Sequence, residues 1–263
     1  MSSISATTAN VASRARPGPL TGTLTITKRE LGGYFLTPVA YVFIVIFLFV
    51  TGIFTFQLGG FFEAKQASLQ SFFTFHPWLY LFLVPAVSMR LWSEERKSGT
   101  IEQLLTLPIT TLDAVLGKFL AAWVFCGIAL VLTFPMWVTV NVLGDPDNAV
   151  IFVGYIGSFL MSGAFLAIGT CMSALTRNQI IAFIAGAVVC FLFTMSGLDL
   201  VLNFFRLWAP DAVVNTIASF SFLTRFESLS RGIIDFRDLI YFVSLIAFWL
   251  FATVIAVETK KAA

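Results

Sequence analysis

The sequence predicts an all-α, polytopic membrane protein with six transmembrane helices. Three observations carry this. Of the 263 residues, 58% are hydrophobic and 11% charged, where a soluble domain carries roughly 25% charged residues. The mean hydropathy is +0.91. The apolar residues fall in six runs, near 39–58, 72–89, 115–143, 150–175, 180–202 and 239–257, and about 20 such residues in a helix cross the hydrocarbon core. Strands of a membrane barrel would alternate in polarity over about ten residues; these runs are continuously apolar.

Along the chain, residues 1–19 are rich in Ser, Thr, Ala and Pro and lack apolar periodicity, so a disordered tail is expected. Residues 20–260 form one transmembrane domain. It begins with a short amphipathic helix in the membrane interface. Leu24, Leu31 and Phe35 lie on one side of it and Lys28, Arg29 and Glu30 on the other, and Gly32-Gly33 and Pro38 break it before the first span. The second span is short and holds Pro77 and Pro85; His76 stands alone at its outer end, without partner ligands for a metal.

Between the second and third spans the sequence reads "RLWSEERKSGTIEQLLTLPIT". Arg90, Glu94, Glu95, Arg96, Lys97 and Glu102 crowd into it, with Asp113 just beyond. Thr100-x-x-Gln103 fits a capping box, and Pro108 disfavours helix at Leu107. A helix of about two turns over 101–107 is therefore expected, with Ile101, Leu104 and Leu105 on one face by i, i+3, i+4 spacing. Thr110-x-x-Asp113 restarts a helix in the same style. A capped helix with an apolar face suits a groove on another protein.

The fourth span carries Gly154, Ser158 and Ser162 at four-residue spacing, a row that lets helices approach closely. Cys126, Cys171 and Cys190 lie inside spans without CxxC pairing and read as small packing residues. Residues 203–238 are too polar to span and too apolar for a solvent loop. They are expected to form half-helices on the outer surface, starting at Pro210 and broken at Gly232. Phe220 and Phe222 are expected contact residues of this outer cap, and Arg231 and Asp235, spaced i, i+4, an ion pair on one helix face.

Lys and Arg set the orientation. If both termini share a side, that side holds Arg14, Arg16, Lys28, Arg29, Arg90, Arg96, Lys97, Lys118, Arg177, Lys260 and Lys261, eleven in all; Lys65, Arg206, Arg225, Arg231 and Arg237, five, lie opposite. Both termini are expected in the cytoplasm, and residues 1–20 lack the apolar core of a cleavable signal peptide. A net charge of +2 gives no reason to expect a nucleic-acid partner. Gly117-Lys118-Phe119 lacks the surrounding residues of a phosphate-binding loop, and no Ser/His/Asp or paired-carboxylate set can be assembled. No ionisable residue is expected deep in a span, which argues against an ion-coupled carrier. An energy source would have to be another chain.

Three stretches, "KRELGGYFLTPVAYVF", "RLWSEERKSGTIEQLLTLPIT" and "FESLSRGIIDFRDLIYFVSL", resemble ABC type-2 transporter permeases, specifically the gliding-motility-type and copper-enzyme-maturation-type branch. The resemblance covers about residues 20–260. It implies a permease that is not itself an enzyme, with no cofactor on this chain. ATP and Mg would sit on two copies of a cytoplasmic ATP-binding subunit, alongside a second permease, the same or a homologous chain. Residues 90–113 would be the segment coupling to the ATPase, through Glu94, Glu95, Arg96, Lys97, Ile101, Glu102, Leu104 and Leu105. The outer segment, with Phe220, Phe222, Arg231 and Asp235, would meet an auxiliary subunit outside a bacterial inner membrane, with lipids around the spans. Export, extraction of a lipid-linked molecule and mechanical signalling all fit this frame. A non-transporting anchor or scaffold that recruits a cytoplasmic protein, transmitting ATPase motion to an extracytoplasmic partner, is the competing reading; a channel or carrier working alone is a third.

Overall fold

The computed structural model describes residues 19–100, 109–207 and 209–259. Among these every regular element is helical, with no strand. The expected disordered tail and the expected helix over 101–107 lie outside the described residues.

The first helix, α1 (Pro19–Leu36), runs through Gly32-Gly33 without a break, against expectation. The turn comes at Thr37, whose extended backbone (φ −106°, ψ 138°) is the conformation favoured before a proline. The buried face of α1 also differs from expectation. Gly22, Thr23 and Ile26 are covered while Leu24 is 57% exposed, and Glu30 turns inward. These residues pack against α6 (Thr111–Val131). The approach is close because Gly117 has no side chain: a Cβ there would come within 2.7 Å of Ile26. Thr27 Oγ1 donates to Gly117 O at 3.2 Å, and Tyr34 stacks on Phe125 with ring centroids 5.1 Å apart.

Helix α2 (Pro38–Ile53) continues through a single wide turn, Phe54–Leu58, as the first candidate span. The expected second span is not one helix. It is divided into α3 (Gln70–Thr74) and α4 (His76–Ser88), followed by α5 (Arg90–Ser98). The 13 residues of α4 reach about 20 Å, short of the roughly 30 Å hydrocarbon core. Pro77 and Pro85 each withhold a backbone donor.

Helix α6 begins at the predicted Thr110–Asp113 capping box, formed in both directions. With α7 (Phe134–Leu143) it makes a 33-residue candidate span, interrupted at Leu132–Thr133 ahead of Pro135. Helix α8 (Asn148–Leu175) is the central post, touching α4, α5, α6 and three later helices. Its predicted small residues are used as expected: Ser158 and Ser162 are buried, and a Cβ on Gly154 would strike the ring of Phe73.

Helix α9 (Gln179–Met195) and α10 (Asp199–Arg206) meet at 71°, so the expected straight fifth span bends near Gly197. Helix α11 (Asp211–Ser219) starts after Pro210 as predicted, followed by α12 (Phe222–Ser230). Gly232, with φ +81°, ends α12 in a left-handed turn that glycine adopts without strain. The last span is α13 (Phe236–Thr259). Among the described residues the count is four candidate spans, or five if the bent pair crosses as one.

Candidate functional site

The charged helix α5 is wired into the bundle by its own side chains and by its backbone. At its start the α4–α5 ladder is interrupted by a residue of α8. Ser173 Oγ accepts from the backbone N–H of Trp92 and of Ser93, both at 3.1 Å, and donates to Met89 O at 2.8 Å. A side chain inserted into the ladder in this way breaks a helix locally. That accounts for the interruption at Met89 and fixes α5 to the end of α8. At the other end of α5, Arg96 donates to Ala174 O, one of the last carbonyls of α8, where a cation is favourable. Burial, then the nearby Arg177, lower the pKa of Arg96 from its ordinary value.

The second attachment is ionic. Lys118, about two turns into α6, is 3% exposed. Its Nζ lies 2.7 Å from Glu95 of α5 and 3.4 Å from Glu30 of α1, and 5.6 Å from the centre of the Trp92 ring. One lysine thus holds together α1, the charged helix α5 and the candidate span α6. Burial raises the pKa of Glu30, but Lys118 and Arg29 outweigh it and leave the carboxyl below its ordinary value. A third tie lies nearby: Thr23 Oγ1 donates to Asp113 Oδ1 at 2.9 Å, joining α1 to the capping residue of α6.

Of the residues expected in the inner site, Glu95 and Arg96 make these contacts, and Glu94 and Lys97 are exposed. Ile101, Glu102, Leu104 and Leu105 lie outside the described residues. Glu30, Lys118 and Ser173 were not expected. Lys118 was counted only as a charge on the inner side; its position inside an otherwise apolar run was the available signal that it needed buried carboxylate partners.

At the opposite end, the outer segment packs differently from expectation. Phe222 is fully buried, stacked on Phe165 at 4.6 Å and on Phe242 at 6.2 Å, so it is core and not a free contact surface. Phe220 is 50% exposed, and its carbonyl accepts from Tyr241 Oη at 2.5 Å. Arg231 does not pair with Asp235. It bonds Glu227 one turn back, because Gly232 ends the helix between them, while Asp235 Oδ1 accepts from Arg237 N at 2.9 Å. The ion pair that ties α12 to α13 is Arg225–Asp238 at 3.1 Å, with Ser228 also donating to Asp238.

Among the described residues there is no cluster of three or more metal-ligating side chains. The three cysteines are buried and unpaired, in keeping with a packing role. His76 is buried, its Nδ1 3.0 Å from Phe72 O. The arrangement is mechanical: a charged helix at one membrane face, rigidly joined to three helices of an apolar bundle. This is a multi-pass helical membrane protein with a charged helix tied to its bundle. The chain matches the family model described as ABC-2 family transporter protein over residues 39–257 and belongs to that family. No curated protein matches it. It is therefore a membrane subunit of an ABC transporter, a class that works with an ATP-binding subunit.

Proposed function

We propose that the chain is the permease through which ATP hydrolysed on a partner subunit drives movement or extraction of a substrate across a bacterial inner membrane, with residues 90–113 as the coupling segment. The attachment of α5 to α1, α6 and α8 through Lys118, Arg96 and Ser173 carries this reading. A push on α5 would pass directly into α8, the helix that most others touch. In this reading α4, with α3, is the second of six spans, both termini are cytoplasmic, two permeases and two ATPases assemble, and the outer helices α10 to α12 cap the pathway and meet an auxiliary subunit. The branch would be the gliding-motility or copper-maturation type, and export or mechanical signalling its direction of work. COOH-terminal Lys260 and Lys261 add to the inner positive charge.

The test of coupling is Leu104→Asp with Leu105→Asp. A charge placed in an apolar groove is costly without a partner, so the variant should insert normally but fail to retain the ATPase in pull-down and lose substrate-stimulated hydrolysis. Normal pull-down with normal stimulation would remove the assignment, and with it the preference over a simple anchor. Orientation is tested separately. Reporters at Lys97 and Arg177 should read cytoplasmic and those at Lys65, Asp147 and Glu227 external; an external signal at Arg177 would overturn the proposed topology.

A further inference from the structure

A cleft of about 260 Å³ opens beside the Lys118 node, lined among others by Glu30, Thr37, Arg90, Glu94, Glu95 and Lys118. Three carboxylates face two cations there. Lys118 is already satisfied between Glu30 and Glu95. What remains is Glu94, exposed and with no ion pair among the described residues, and a buried carboxylate oxygen, Glu95 Oε2, that has no hydrogen-bond partner. An unmet buried acceptor on a charged group costs stability, so this position favours a ligand that donates. Arg90 is exposed, one turn before Glu94, and makes no ion pair among the described residues. The cleft thus offers a cation site and an anion site side by side.

Its position narrows the ligand. Thr37 lines the cleft and α2 starts at the next residue. Val39, Val42, Ile46 and Phe49 follow at spacings of three, four and three, all exposed, and form one apolar stripe along a membrane span that starts at the cleft. A zwitterionic head with a hydrocarbon tail matches both parts.

We propose that the cleft is a headgroup site for an aminophospholipid of the phosphatidylethanolamine type, its ammonium on Glu94 and Glu95, its phosphate toward Arg90 and an acyl chain along the α2 stripe. The primary ammonium supplies N–H donors to the exposed carboxylate of Glu94. A quaternary choline head has none, and phosphatidylglycerol brings no cation to Glu94. Retention of the lipid would brace α1 against α5 from the membrane side. This holds whether or not α5 engages an ATPase.

The experiment is native mass spectrometry of the purified full-length chain in detergent, offered phosphatidylethanolamine, its N-monomethyl and N,N-dimethyl forms, phosphatidylcholine and phosphatidylglycerol with matched acyl chains. Retention should fall stepwise with each methyl, by about tenfold or more between the ends of the series, since losing a charge-assisted hydrogen bond costs at least that factor. Arg90→Gln with Glu94→Gln should abolish the preference while helicity and elution volume stay unchanged. Equal retention of the ethanolamine and choline lipids overturns the proposal, whatever the variant does. So does soluble phosphoethanolamine binding as tightly as the lipid, which would make the ligand a free metabolite. ATPase pull-down reads the functional proposal independently.

Discussion

Lys118→Met is expected to lower the stability of the detergent-solubilised protein by about 2–4 kcal/mol. Removing one partner of a buried ion pair costs about 3–5 kcal/mol because the other charge is left unpaired. The low side applies here, since Glu30 and Glu95 keep 21% and 19% of their side-chain surface in contact with solvent. The loss is in the unpaired carboxylates, so adding Glu30→Gln and Glu95→Gln to Lys118→Met should recover most of it. The pH dependence gives a second readout. In the native protein the folded-state pKa of Glu30 lies below its ordinary value near 4.5. Its contribution is therefore complete above that value and is lost as the pH falls through the lowered one. Without Lys118, two of the influences that lower the Glu30 pKa are gone while burial still raises it, so the variant should lose less stability on acidification than the native protein does. Thermal unfolding from pH 7 to pH 4 checks both. A Lys118→Met protein as stable as the native one, with no rescue in the triple variant, would mean the node carries no load.

What the sequence made legible was local. Hydropathy located the four candidate spans because each of those apolar runs is visible within its own residues, and the Thr110–Asp113 capping box could be read from a four-residue spacing. Errors arose where distant segments decide. Gly32-Gly33 looked like a helix break from propensity alone, yet α1 is held straight by packing on α6, with Tyr34 and Phe35 on Phe125 just beyond the glycines. The division at Met89 is made by Ser173, a residue of another helix, and no pattern near Met89 announces it. Glu30, Glu95 and Lys118 each read locally as a solvated charge; only the fold brings them together. Arg231 and Asp235 had helical spacing, but Gly232 between them takes a conformation that ends the helix. That signal was in the sequence, since the same glycine was read as a break.

Phe222→Ala is expected to cost about 3–5 kcal/mol, the range for truncating a fully buried aromatic side chain, whereas Phe220→Ala should stay within about 1 kcal/mol, as at other exposed positions. The two rings sit two residues apart in a segment whose composition treats them alike. Their environments differ because Ser221 caps α12 by accepting from Thr224 N and so aims Phe222 inward. Phe222 then lies among Phe165 of α8, Phe193 of α9 and Phe242 of α13, making it the ring through which α12 grips three helices. Its removal leaves a cavity that the surrounding helices fill only partly. The Arg225–Asp238 pair still tethers α12 to α13, so the outer segment should loosen without unfolding the bundle. Hydrogen exchange should therefore rise across the amides of α12 in Phe222→Ala while those in the middle of α8 keep their protection. Exchange in α12 that is unchanged, or equal destabilisation by the Phe220 and Phe222 substitutions, would show that the outer segment is held elsewhere. Selective loosening would instead make Phe222→Ala the variant with which to ask whether α12 must stay docked for the permease to work.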